Sequence, residues 1–370
     1  MDFLTNDYIK STCDEIDISS LSNDLIDLKN NVFSNKEHTS LFENYLSTYF
    51  YENVDYEKRY ENLLSIFNEK TDLFILLICI AKIKDTKQFY SEKNIPNSIL
   101  YDTLKDIKIW TENNKAKTGN TGLSNINWIS RHLTGKLFKI GRLQFEKIEF
   151  KGDVKLFKQA VTGFPLILSD KGVKYDLFGS KTLENEAFIS EYIESDITIT
   201  ANPILSGKCQ NTLTTINKCD YSLEIENGTS LLNIHIDQSE KLNIKDSINS
   251  MKEAIKFFYK YFNGAVIKGF TCTSWLLNRN YRHILDESSN IHKFASMFYE
   301  YPIIPYYLNM YERVFNGESD ISVLEKIDSK TSLQKAIIQG LKEGLTFEDA
   351  AIIYPSYDMK KLEKFTLNIK

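Results

Sequence analysis

Three ionisable side chains sit in apolar surroundings where they could do chemistry. Arg142 and Glu146 lie in the stretch "GKLFKIGRLQFE" (135–146), and His235 lies in "SLLNIHI" (230–236). Read as one strand, "IGRLQFE" sends Ile140, Arg142, Gln144 and Glu146 to one face, because successive side chains alternate. A cleft-lining face would let Glu146 act as a base and Arg142 hold an anion. An outer sheet face, with the two loosely paired, is the plainer alternative. His235 is either a buried histidine with one satisfied ring nitrogen or a general base. Cys272 and Ser274 share a face of a later segment. Nothing in the sequence marks a base or an activated thiolate for Cys272, so packing is its expected role. "SSNI" at 288–291 reads as a helix cap.

The elements that must carry these groups are read from periodicity. Residues 1 to about 115 look helical, with apolar residues at helical spacing in "SLFENYLSTYF", "KRYENLLSIF" and "DLFILLICIAKI". The run Leu73–Ala81 is too short to span a bilayer and reads as a buried core helix. "IPNSILYDTLKDIKIW" adds a helix starting near Pro96. The polar segment 112–125 is the expected linker. From Trp128 strand-like runs alternate with turns, and residues 137–237 read as an antiparallel meander, with "SDKG" and "ENGT" as hairpin turns. "KDSINSMKEAIKFFYKYFNG" is an amphipathic helix with Asp246 as expected N-cap. "AVIKGFTCTSWLL" reads as a buried strand, "YPIIPYYLNMYERVF" as extended, and "TSLQKA" as a capping-box helix start. A strand–helix–strand unit after a meander makes a mixed sheet with helices packed on it.

Composition bounds the function. The chain has 370 residues, enough for two domains, with 42% hydrophobic and 26% charged residues. A net charge of −5 argues against nucleic-acid binding. Five cysteines without a CxxC pair, and histidines without ligand spacing, point away from a disulfide framework or a zinc site and toward a reducing cytoplasm. The acidic, polar N-terminus is no signal peptide.

The segments "IPNSILYDTLKDIKIW", "TGLSNINWISRHLTGKLFKIGRLQFE", "LLNIHI", "SINSMKEAIKFF", "TCTSWLL", "SSNIHKF", "RVF" and "TSLQKA" follow one another over roughly residues 90–340. As an ordered set they resemble a bacterial acyltransferase-domain family, with an N-acyltransferase N-terminal domain followed by a GNAT-like C-terminal domain. The resemblance implies an α+β fold: a helical domain (1–125) on a GNAT-like, mostly antiparallel mixed sheet with flanking helices (126–370). It implies a cytoplasmic N-acyltransferase that takes acyl-CoA as co-substrate, without a metal, and a small-molecule or peptide amine as acceptor. Glu146 or His235 would be the catalytic base. Arg142, Ser274 and Trp275 would bind substrate. Ile234 and Ile236 would hold the pantetheine, and Lys241, Lys245 and Ser247 the phosphates. Tyr306 and Tyr307 are positional candidates for protonating the thiolate.

Two departures stand out. The family's "HIP" is "HID" here, with Asp237 in place of proline. The loop "DQSEKLNIKD" has no glycine, whereas GNAT pyrophosphate loops are glycine-rich, and a glycine-free loop brings backbone less close to phosphate. A non-catalytic GNAT-like binding module is the alternative. The acceptor, the acyl length and the oligomeric state are not written in the sequence.

Overall fold

The structure, a computed structural model, describes residues 2–51, 53–328 and 330–362. The chain forms two compact units. The first comprises residues 1–140, 144–146 and 237–239, the second the remainder.

The first unit is helical: α1 (Asn6–Glu15), α2 (Ser22–Ser34), α3 (Lys36–Thr48), α4 (Tyr56–Phe67), α5 (Thr71–Glu92), α6 (Asn97–Thr118) and α7 (Ile126–Leu133), followed by β1 (Leu137–Ile140). Every residue from Thr71 to Ala81 is buried, so α5 is apolar all round and forms the hub that α1, α2, α3, α4, α6 and α7 touch. This is the buried core helix expected from Leu73–Ala81. Among the described residues no helix is long and apolar enough to cross a membrane.

Two expectations change here. Helix α6 continues through most of the expected linker and ends at Thr118, capped by Gly119 in the left-handed conformation. The rest of the segment is held by Asn114, whose Nδ2 donates to Asp72 Oδ2 (2.9 Å) and Gly122 O (3.2 Å). At Gly122 a Cβ would come within 2.3 Å of the Asp72 backbone, so only glycine allows this approach. Helix α7, with Asn125 Oδ1 accepting from Trp128 N, lies where the sequence pattern turns strand-like. Eight residues give too short a window for periodicity to speak.

After β1 the chain turns at Gly141–Arg142 and enters β2 (Leu143–Glu149). The opening segment is therefore two strands around a turn, and Arg142 does not share a strand face with Gln144 and Glu146. Gly141 takes φ +65°, and a Cβ there would meet Ser250 Oγ at 2.6 Å. The sequence signal for a break is this glycine, masked by apolar residues on both sides.

The second unit continues through short strands: β3 (Val154–Gln159), β4 (Pro165–Ser169), β5 (Lys174–Tyr175), β6 (Phe188–Ile189), β7 (Tyr192–Glu194), β8 (Thr198–Ala201), β9 (Pro203–Leu205), β10 (Lys208–Cys209), β11 (Thr214–Asn217), β12 (Tyr221–Ile225) and β13 (Ser230–His235). Their pairing from β3 to β12 is antiparallel, as expected, but they form separate sheets in the orders β10-β9-β4-β3-β12, β11-β8-β7 and β5-β6. The "SDKG" and "ENGT" turns join strands of different sheets and are not hairpin turns. Phe157, Leu168, Ile199, Ala201 and Ile216 bury one cluster; Leu156, Ile167, Ile225, Leu231 and Ile353 belong to another.

Helix α8 (Ile244–Tyr261) follows, then β14 (Gly269–Ser274), α9 (Tyr281–Ile284), α10 (Asn290–Ala295), β15 (Tyr299–Tyr301), α11 (Leu308–Phe315), α12 (Ile321–Leu324), α13 (Ser332–Lys342) and β16 (Ala350–Pro355). Strands β13, β14, β16 and β15 are neighbours in that order. The β13–β14 pair is parallel and the other two pairs are antiparallel. The fold is thus the α+β arrangement expected: a helical N-terminal part, then a mixed, mostly antiparallel sheet with flanking helices. The "YPIIPYYLNMYERVF" stretch is extended only at β15 and becomes α11 after its second proline. Thr331 and Gln334 form the expected capping box of α13.

Candidate functional site

Strand β13, helix α8 and strand β14 raise a question of backbone supply: where do the parallel strands stop pairing? Leu231 faces Gly269, Leu232 faces Phe270 and Asn233 faces Thr271, and the register ends there. Both strands go on, β13 to His235 and β14 to Ser274, with β14 held by β16 up to Ser274–Ala350. Beyond Asn233 the pairing between these two parallel strands stops, although each strand goes on.

His235 lies past the end of this pairing, partly buried. Its Nε2 is 3.2 Å from Asn233 Nδ2, two residues earlier on the same strand face. An amide nitrogen only donates, so Nε2 accepts and Nδ1 carries the proton. Ile234 is buried on the opposite face and Ile236 is partly exposed.

The loop after β13 is tied down by the turn at 141–142. Arg142 is 5% exposed; its Nε donates to Lys241 O (3.1 Å) and its Nη2 to Glu240 O (2.5 Å). Its backbone N donates to Ser250 Oγ (2.7 Å), and Ser250 in turn donates to Asp246 O on α8 (2.8 Å). Arg142 therefore spends its guanidinium on peptide carbonyls. In a trans peptide the C=O and N–H point oppositely, and no described bond is cis, so the N–H groups of Lys241 and Leu242 point away from the guanidinium. A buried cation does here what glycine does elsewhere: it fixes which side of the loop the amides face.

Helix α8 starts at Ile244 with Asn243 as N-cap, its Oδ1 accepting from Asp246 N (3.1 Å). The expected cap, Asp246, is a first-turn residue instead; either asparagine or aspartate suits an N-cap, and the sequence offers both within one helical turn. Ser247 is buried, its hydroxyl donating to Asn243 O (2.6 Å) and its N–H to the same carbonyl (2.9 Å). Lys241 and Lys245 are exposed at the head of the helix.

Ser274 and Trp275 close β14. Ser274 Oγ accepts from Leu276 N (3.2 Å), capping a single 3₁₀ turn, Trp275–Leu277. Trp275 packs edge-on to Tyr281 at 5.9 Å, against the cluster of Met310, Phe315, Leu324 and Phe347. Cys272 is buried, and burial pushes its thiol up to about 12, with the Asp349 charge adding to the shift. It is no thiolate nucleophile, in keeping with its expected packing role. The "SSNI" segment precedes α10, but Ser289 at the N-cap position makes no side-chain capping bond. Tyr306 and Tyr307 are about half exposed. Glu146 belongs to the first unit, where its Oε2 accepts from Arg131 Nη1 (3.1 Å). Among the described residues no group of three or more His, Cys, Asp or Glu could hold a metal ion.

The second unit also carries a cleft that the sequence did not announce. It is lined by residues from several separate segments, among them Lys208, Asn278, Arg279, Glu300, Glu348 and Asp349. No short motif connects them, so only the fold brings them together.

Comparison with known proteins follows the same division of the chain. A family described as "GNAT-like C-terminal domain" matches residues 137–351, and one described as "N-acyltransferase N-terminal domain" matches residues 7–135. No curated protein matches the chain. Among solved structures, an acyltransferase in complex with decanoyl-CoA and teicoplanin is similar, with 19% identity, a TM-score of 0.52, and coverage of 77% of this chain and 67% of the other. An acyltransferase mutant with octanoyl-CoA gives 18% identity and the same score and coverage. An acyltransferase with CoA and 10C-teicoplanin gives 19%, again at 0.52, 77% and 67%.

Proposed function

Since this chain belongs to the family with a GNAT-like C-terminal domain, we propose that it moves an acyl group from a CoA thioester to an amine. The observation that carries this reading is the end of the β13–β14 ladder at Asn233–Thr271 while both strands continue. Strand edges that no longer pair with each other there suit a pantetheine arm along Ile234–Ile236 and a thioester carbonyl that becomes an oxyanion. The loop amides of Lys241 and Leu242, with the Lys241 and Lys245 ammonium groups, suit the pyrophosphate at the head of α8. Ser247 serves the loop by bonding Asn243 and does not reach for phosphate. Arg142 orders the same loop from beneath.

In the reaction the amine nitrogen attacks the thioester carbon. The C–N bond forms, the C–S bond breaks, and the amine's proton passes to a base while CoA leaves as thiolate and is protonated. His235 is the better placed base, because it lies at the end of β13 where the pairing with β14 has stopped. Glu146 is the alternative, and its carboxylate is already paired with Arg131. Ser274 and Trp275 lie beyond the last β13–β14 pair and suit the wall of an acyl or acceptor pocket. Solved relatives hold octanoyl- and decanoyl-CoA, so these thioesters are the first donors to try.

The test is calorimetric titration with CoA, octanoyl-CoA and decanoyl-CoA, followed by thiol release with a panel of amines. Binding and amine-dependent release are expected. His235→Gln should lower kcat by roughly 10²-fold or more, with octanoyl-CoA affinity kept. Loss in Glu146→Gln and not in His235→Gln would move the base to Glu146. The acidic first-turn residue Asp246 beside a glycine-free loop favours a second reading, a binding module without catalysis. Absence of binding by every thioester would favour that module.

A further inference from the structure

The cleft in the second unit has a volume of about 210 Å³ and sits where β14 ends, β15 ends and β16 begins. Its most telling group is Asp349, immediately before β16. The residue is only 7% exposed. Its Oδ2 accepts from Asn309 Nδ2 (2.6 Å), but its Oδ1 is buried without a hydrogen-bond partner among the described residues. Beside it, Glu348 Oε2 is also buried without a partner among them, while its backbone carbonyl accepts from Asn278 Nδ2 (2.8 Å). Buried carboxylate oxygens left open are expensive, and native proteins seldom keep them without a partner, whether water, an ion or a ligand.

A third acid in the cleft behaves differently. Glu300 is paired with both Arg279 and Arg282, the latter at 3.0 Å, so its charge is answered within the protein. Lys208 Nζ donates to Ser180 Oγ (2.5 Å), a neutral hydroxyl, and keeps its positive charge. The carboxylate oxygens left open in the cleft, among the described residues, are those of Asp349 and Glu348. Burial pushes the Asp349 carboxyl above its ordinary value, with Asn309 acting against the shift. A cation docked there would reverse that cost.

The location links the cleft to the proposed reaction. Ala350 pairs with Ser274, so Asp349 lies one residue beyond the last β14–β16 pair. Thr271, where the β13–β14 pairing ends, is three strand residues from Ser274, about 10 Å. Asp349 and Cys272, the residue after Thr271, feel each other electrostatically.

We propose that Asp349 and Glu348 form the acceptor subsite and dock a small primary amine as its ammonium cation, which passes one proton to a carboxylate of this pair and leaves it as the free amine before it attacks. This rests on the acyl-transfer reading of the pairing that ends at Asn233–Thr271. The cleft is smaller than most pockets for whole ligands, so it takes the amine-bearing end of an acceptor and leaves any larger body outside. An ammonium donates three hydrogen bonds, enough to meet Oδ1 of Asp349 and Oε2 of Glu348 together.

Two measurements on the full chain test this separately from the donor side. The first is thermal shift with ethanolamine hydrochloride against ethylene glycol, its neutral counterpart, without CoA. Ethanolammonium should stabilise wild type, ethylene glycol should not, and Asp349→Asn and Glu348→Gln should abolish the difference. The second is amine-dependent thiol release with octanoyl-CoA, alongside calorimetry of octanoyl-CoA. KM for amines should rise about tenfold or more in Asp349→Asn, with octanoyl-CoA affinity within about twofold. Equal shifts by the two probes, or a folded Asp349→Asn variant with wild-type amine KM, would overturn the subsite. If no thioester binds while the ammonium shift persists and needs Asp349, the transferase reading fails and the cation site stands.

Discussion

Each unit buries two aspartates, Asp72 and Asp106 in the first and Asp349 and Asp358 in the second, and Asp106 and Asp349 are treated in opposite ways. In the first unit Asp106 is 4% exposed, and its Oδ2 accepts from Trp128 Nε1 (2.6 Å) and lies 3.1 Å from His132 Nε2. His132 is itself fully buried, with Nδ1 3.1 Å from Trp128 O. Burial pushes the Asp106 carboxyl up, but His132 and Trp128 outweigh it and hold it below its ordinary value. In the second unit Asp349 keeps an open oxygen, and burial wins. The Asp106 carboxylate has an indole N–H and an imidazole beside it and serves the fold; the Asp349 carboxylate keeps an oxygen that a docked cation could meet.

The comparison breaks most sharply if the closed network is cut. Asp106→Ala leaves Trp128 Nε1 and the His132 ring without their acceptor, and should cost about 3–5 kcal/mol in urea unfolding. The pH dependences should also oppose each other. Asp106, with a lowered folded pKa, adds stability that is present above its unfolded value near 4 and is lost as pH falls. Asp349, with a raised folded pKa, does the reverse: its charged form costs stability as pH rises past that same unfolded value. Melting temperatures of Asp349→Asn and wild type, measured from about pH 4 to pH 8, should separate in favour of the variant as pH rises.

A loop substitution is the next largest effect. Arg142→Met removes two hydrogen bonds from a charged donor to the 240–241 carbonyls, which together should cost about 1.5–3 kcal/mol because the loop is exposed and the freed carbonyls meet water. We expect faster amide exchange at 240–243 and weaker octanoyl-CoA binding by about tenfold. Gly141→Ala should cost about 1–2 kcal/mol, since it strains a positive φ and crowds Ser250 Oγ. The gain from Asp349→Asn at neutral pH is the smallest, because the bond to Asn309 survives only if the amide presents its oxygen there.

What can be read from the sequence is what periodicity and order encode. The all-apolar run of α5 and the strand–helix–strand of β13, α8 and β14 are legible because each lies within one continuous segment. The end of α6 is hidden because its last turn is polar, with Lys115 and Lys117 suited to a helix C-terminus yet resembling a linker. The turn at Gly141 is hidden because alternation continues plausibly through it. His235 is visible as a lone histidine in a strand, but its pairing with Asn233 needs the rotamers. Asp349 gives no signal at all: its meaning comes from Asn309, Cys272 and Glu300, which are far apart in the chain.

The guanidinium of Arg142 has one last implication. The 240–241 segment is steadied by a side chain about a hundred positions upstream, on a turn that precedes β2. A recombinant fragment beginning at Lys147 would keep β13, β14, β15 and β16 and still arrive with that segment slack. Excised for ligand screening, such a half-protein would report poor nucleotide affinity for a reason located in the piece thrown away.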